Sequence, residues 1–122
     1  MPYSPKRPPR DPCPVEEVLE IIGGKWKARI LLRISLGPCG FAELRRALAG
    51  VSQQVLSTQL QALMDSGVVR RAVVDRASES VRYAMTPKGE SLLPVLDVIA
   101  SWGDDRLRER GLIWERPRAV AG

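Results

Sequence analysis

Ser52-Gln53-Gln54-Val55-Leu56-Ser57-Thr58-Gln59-Leu60-Gln61-Ala62-Leu63-Met64-Asp65-Ser66-Gly67 is the stretch on which the fold turns. At about 100° per residue, Leu56, Leu60, Leu63 and Met64 fall within one arc, the core-facing stripe of an amphipathic helix from Gln53 to about Asp65. Ser52 is placed to cap it, because a serine hydroxyl there accepts an orphan N–H of the first turn, and Gly67 stops it. The opposite arc holds Gln54, Thr58 and Gln61, flanked by Gln53 and Ser57. Glu and Lys, which an ordinary solvated helix face favours, are missing from that arc.

Working outward, Phe41, Leu44 and Leu48 mark a short helix whose other face is Glu43, Arg45 and Arg46, closed by Gly50. Before it, a helix from near Lys25 to about Leu36 carries Trp26, Ile30, Leu31 and Ile34, and Gly37-Pro38 breaks it. Arg29 is unexpected in that helix and is read as partly exposed or paired with an acidic neighbour. A first helix opens with Pro14 at N1 and with Glu16 and Glu17 near its positive end. It spaces Val15, Val18, Leu19 and Ile22 helically and ends at Gly23-Gly24. Downstream, the β-rich runs 69–74 and 81–85 flank the polar stretch 75–80, a hairpin with a loose tip. Thr86-Pro87 then opens a fifth helix through Leu92, Leu93, Val95, Leu96, Val98, Ile99 and Trp102, with Pro94 a kink if it lies beyond the first turn. The apolar positions of this helix exceed one stripe, so a partner chain is the expected cover.

Composition narrows the function. The chain has 122 residues and a formal net charge of +5, and its hydrophobic fraction of 44% suffices for one core. It contains no histidine, which removes Ser-His-Asp and Cys-His catalysis, and two cysteines alone cannot close a zinc site. The expectation is therefore no enzyme, no metal and no cofactor. A sequence pI near 9.8 asks for an acidic partner, nucleic acid first. No run approaches the length of a membrane span and the start lacks a secretion signal, so a cytoplasmic protein with reduced thiols is expected. Residues 1–12 read as a basic, Pro-rich tail, 13–106 as the domain, and 107–122 as an extension. Through Leu112, Ile113 and Trp114 that extension either lengthens a dimer interface or remains a loose tail.

Three helices, a helix with an amide-rich outer face, then a two-stranded hairpin is the order of a winged helix-turn-helix, mainly α with a two-stranded β wing. In that architecture the fourth helix enters the DNA major groove, the third crosses the backbone and the hairpin tip follows phosphate or the minor groove. Between Arg45 and Lys88 there are seven basic residues against three acidic ones, a local excess of four. Leu-rich helix pairs with polar outer faces are common, so the helix alone is weak evidence. Amides and hydroxyls that donate and accept like base edges, beside that basic excess, put DNA ahead of a protein-interaction module or a thiol enzyme.

Cys13-Pro14-Val15-Glu16, Ile22-Gly23-Gly24-Lys25-Trp26, Phe41-Ala42-Glu43-Leu44-Arg45-Arg46, Val51-Ser52, Gly67-Val68-Val69 and Tyr83-Ala84-Met85-Thr86-Pro87-Lys88-Gly89 together closely resemble the HxlR-type winged helix regulators, over about residues 13–106. The resemblance implies a bacterial or archaeal transcription factor, not an enzyme, that binds double-stranded pseudo-palindromic operators as a homodimer. It implies base contacts from Gln53, Gln54, Ser57, Thr58 and Gln61, backbone contacts from Arg45 and Arg46, and a wing tip at 75–80; Ser52, Arg71, Arg76, Arg82 and Lys88 are expected as further backbone or wing contacts of this chain's own. The dimer seam it implies lies on the first and last helices, at Val15, Val18, Leu19, Leu96, Ile99 and Trp102. This chain departs from the pattern at Gly40 and at Ser78-Glu79-Ser80, where basic residues are usual, and at Arg82, where an acidic one is usual.

Cys13 lies where helix dipoles favour a thiolate, with Arg10 nearby and Asp11, Glu16 and Glu17 opposing. The resemblance implies a thiol sensor at this position in some members; sensing and packing both stay open. Cys39, in the Gly37-Pro38-Cys39-Gly40 turn, is expected to be the more exposed thiol, able to resolve an oxidised Cys13, with packing or idle exposure the plainer alternatives.

Overall fold

The computed structural model describes residues 11–75, 77 and 80–117. Their elements are α1 (Pro14–Ile22), α2 (Lys27–Ile34), α3 (Phe41–Ala47), α4 (Gln53–Asp65), β1 (Val69–Asp75), β2 (Ser80–Met85) and α5 (Pro87–Glu109). The order is that of the winged helix-turn-helix. Most of the tail expected over 1–12, the wing-tip residues Arg76, Ser78 and Glu79, and residues 118–122 lie outside the described residues.

One apolar core joins α2, α3 and α4 to the root of the hairpin. Ile30, Leu31, Ile34, Leu44, Leu56, Leu60, Leu63 and Val68 are all fully buried. Each such side chain contributes about 1.5–3 kcal/mol relative to exposure, so the helical spacing that brings them together also holds the helices together. The capping of α4 follows its sequence, with the Ser52 hydroxyl accepting the Val55 N–H at 3.1 Å. Gly67, at φ 78°, then turns the chain into β1 while the Val68 N–H reaches back to the Leu63 carbonyl at 3.2 Å.

β1 and β2 pair antiparallel, with Val69 opposite Met85, Arg71 opposite Tyr83 and an irregularity between Val73 and Asp75. Cys39 adds a third, one-residue strand: its N–H donates to the Tyr83 carbonyl at 3.0 Å and the Tyr83 N–H returns to the Cys39 carbonyl at 2.8 Å. Thr86 seals the other end of the hairpin. Its hydroxyl donates to the Gly67 carbonyl at 2.6 Å and accepts the Gly89 N–H at 3.0 Å, while its own N–H reaches Val68 at 3.1 Å.

Three expectations need correction. α2 starts at Lys27, not near Lys25, because Gly24 takes φ 87° and Trp26 stands as the N-cap, half-buried with the Lys25 ammonium 4.8 Å from its ring. Leu96, expected in a dimer seam, is 4% exposed and belongs to the core of its own chain. The extension does not begin at 107, since α5 runs on through Pro94 to Glu109. Gly111, at φ 73°, then reverses the chain, and Arg116 pairs with Asp97 and stacks on Trp114. Residues up to 117 therefore fold back on α5 and are no loose tail, although Leu112 and Ile113 remain exposed.

The Gly89 contact makes a stability prediction. A Cβ there would stand 2.1 Å from the Val68 carbonyl oxygen, whereas one at Gly103, also helical, meets nothing within 4 Å. Urea denaturation should show Gly89→Ala losing about 1–3 kcal/mol, and Gly103→Ala gaining up to about 1 kcal/mol from helix propensity.

Candidate nucleic-acid interface

α4 is anchored on one side by Leu56, Leu60 and Leu63, which fixes what it shows on the other. Gln53, Gln54, Ser57, Thr58 and Gln61 are all exposed. The Gln61 amide donates to Asp65 at 2.9 Å, within its own helix. The other four make no side-chain hydrogen bond inside the described chain, so their donors and acceptors face solvent. Val55, 38% exposed, flanks this polar face and was missed because a valine reads as core; its methyls suit the 5-methyl group of thymine. Ser52 is exposed, but its hydroxyl oxygen is already engaged as the helix cap.

The basic residues divide into free and committed ones. Arg46 on α3, Arg70 and Arg71 on β1 and Lys88 in the first turn of α5 are exposed, without ion pairs among the described residues. Arg45 is exposed while its Nε reaches the Val51 carbonyl at 3.5 Å, bracing the turn between α3 and α4. Arg82 is committed: its Nη1 lies 3.2 Å from the Glu43 carboxylate and donates to the Pro38 carbonyl at 3.1 Å. Arg33 and Arg46 border a groove of about 630 Å³ between α2 and α3. Arg33 went unassigned in the sequence because nothing local to α2 places it beside α3. Arg76 lies outside the described residues.

The residues expected at a dimer seam separate similarly. Val15, Leu19, Ile99 and Trp102 are exposed, Trp102 at 74%, whereas Val18 is half-buried against the core. Val95 and Val98 extend the exposed apolar arc of α5.

The two thiols occupy different environments. Cys13 is the half-buried N-cap of α1, its carbonyl accepting the Glu17 N–H at 3.1 Å. Cys39, expected to be exposed, is fully buried, because pairing with Tyr83 draws the Pro38-Cys39 turn under β2. Burial pushes its thiol pKa up, the nearby Glu43 carboxylate adds to this, and Arg33 and Arg82 oppose it. The Cys39 Sγ lies 3.9 Å from Glu43 Oε2. Among the described residues no group of three or more His, Cys, Asp or Glu side chains could hold a metal ion, and no helix is long and apolar enough to cross a membrane.

The model of the HxlR-like helix-turn-helix family matches residues 21–110. An HTH-type transcriptional regulator of Methanothermobacter thermautotrophicus is 36% identical over 91 residues, which cover 75% of this chain and 70% of the relative. The crystal structure of the HTH-type regulator ytcD superposes with a TM-score of 0.73 at 35% identity, over 79% of this chain and 98% of that one. The redox regulator HypR in its oxidised form gives 0.70 at 35% identity, over 76% of this chain and 96% of that one.

The thiol environments predict selective chemistry. Iodoacetamide at pH 8 should modify Cys13 in the native protein and spare Cys39 until the fold is opened with denaturant, as mass spectrometry of the two peptides would show. A raised thiol pKa also means that the folded state holds this proton more tightly. That contribution is intact below the unfolded thiol value of about 8.5 and declines as pH climbs past it, so the alkaline loss of stability should be shallower in Cys39→Ala.

Proposed function

This chain belongs to the HxlR-like helix-turn-helix family, a family of transcriptional regulators and not of enzymes, and on that premise we propose that it acts as a homodimer on a pseudo-palindromic operator. The observation that carries the reading is the outer face of α4. Gln53, Gln54, Ser57 and Thr58 stand exposed with unspent donors and acceptors on a helix whose opposite face is locked in the core. Such side chains discriminate base edges in the major groove by about 1–3 kcal/mol per good bidentate pair. Arg46, Arg71 and Lys88, with Arg45 beside them, are the phosphate-facing charges that set register without reading sequence.

A second copy supports the operator symmetry. Val15 and Leu19 on α1 and Ile99 and Trp102 on α5 are apolar and exposed, which a monomer has no use for. Covering them with the same residues of a second chain makes an isologous interface and sets two α4 helices for successive half-sites about 34 Å apart. Cys13 begins α1, inside that seam, so oxidation of its thiol would alter the relation between the two recognition helices. The likeness to a redox regulator supports this gating.

Four variants test the proposal in a fluorescence-anisotropy titration on a selected duplex. Gln54→Ala should lose about 1–3 kcal/mol of specific binding while leaving non-specific binding nearly unchanged. Arg71→Ala should weaken both and lower the slope of log affinity against log salt by about 0.9. Trp102→Glu should shift the chain to monomer in sedimentation and abolish tight binding. Diamide should change the affinity of the wild type and leave Cys13→Ser unaffected; an identical response in both would remove the gating.

A further inference from the structure

Arg82 and Glu43 are 39 positions apart in sequence and meet at 3.2 Å, on the line where the hairpin touches the helix-turn-helix. Tyr83, the next residue along β2, exchanges two backbone hydrogen bonds with Cys39. Arg82 reaches from the adjacent position over the same turn, and one guanidinium nitrogen serves both the Pro38 carbonyl and the Glu43 carboxylate. Glu43 sits in the first turn of α3, where the helix dipole favours a carboxylate. From α3 the chain passes directly into α4 through Leu48–Val51, braced by Arg45 on the Val51 carbonyl. The contact thus joins the strand that carries the wing to the pair of helices that carries the base-reading face.

We propose that Arg82 and Glu43 form a positioning pair that fixes the wing relative to α4, so that Arg82 serves DNA binding through Glu43 and not by touching phosphate. The inference rests on the DNA-binding reading above. Arg82 is half-exposed, as is Glu43, with 38% and 36% of their side chains accessible, so the pair adds little to global stability. Its value lies in orientation: a guanidinium holding two fixed acceptors resists rotation of the hairpin about its backbone bridge. A phosphate that approached this nitrogen would have to compete with the carboxylate and the carbonyl already on it.

The test is a double-mutant cycle at a temperature where circular dichroism shows every variant folded. The probe is a duplex that the wild-type chain selects from a random-sequence pool; failure of the wild type to select any sequence would refute the DNA-binding reading itself. Given a selected duplex, Arg82→Gln should weaken binding about tenfold in the wild-type background and less than twofold when Glu43→Gln is already present. Glu43→Gln alone should also weaken binding, although it removes a negative charge from a DNA-facing protein. In the free protein, amide exchange at Tyr83 and Cys39 should quicken in Arg82→Gln. Equal losses for Arg82→Gln in both backgrounds, with the salt slope reduced by about 0.9, would show a direct phosphate contact and overturn the proposal. Tighter binding by Glu43→Gln, or no loss in Arg82→Gln, would overturn it as well.

Discussion

Everything that this chain shows to a partner depends on a hairpin held at two points to a helical core. At one point Cys39 and Tyr83 exchange backbone hydrogen bonds; at the other Thr86 links the Gly67 carbonyl to the first turn of α5 while Gly89 presses on Val68. Neither contact is large in energy, since a hydrogen bond nets only about 0.5–1.5 kcal/mol. Their weight is geometric. β1 starts two residues beyond the Gly67 turn from α4, and β2 is tied to the entrance of α3, so the freedom left to the hairpin against the recognition helix is rotation about its backbone bridge, which the proposed Arg82–Glu43 pair would resist.

The division of apolar surface gives the second half of the picture. Inside, leucines and isoleucines from α2, α3 and α4 fill one core, joined by Ile22 of α1 and Leu96 of α5. Outside, α1 and α5 keep Val15, Leu19, Val98, Ile99 and Trp102 in water, and the folded-back segment adds Leu112 and Ile113. The core explains why the helices hold together, and the uncovered residues are the surface that the proposed second chain would cover. The backward turn at Gly111 lays Trp114 and Arg116 against the polar flank of α5 near Asp97 and Asp104, so the segment braces the helix without covering its apolar arc.

The sequence was most legible where the determinants are local. Ser52, the leucine spacing and Gly67 define α4 at both ends, and the Thr86-Pro87 step defines the start of α5. Reading failed where distant segments decide. Cys39 looks exposed among Gly37, Pro38 and Gly40, but a strand 44 residues away covers it. Arg82 looks like a free cation in the wing, and only the folded chain brings it to Glu43. Leu96 fits a helical apolar arc equally well whether the arc meets a second chain or the same one, and tertiary packing alone chooses the core. Family resemblance supplies the proposed role of the exposed α4 side chains, whose residue types are compatible with DNA but do not by themselves require it.

The central claim is that two copies of α4 read the two halves of one operator. Hydroxyl-radical footprinting of the wild-type chain on a selected duplex tests it most directly. The account predicts two symmetric protected segments centred about one helical turn, 10–10.5 base pairs, apart, with flanking backbone protection from the wings. A single protected half-site, or uniform protection without sequence preference, would contradict it.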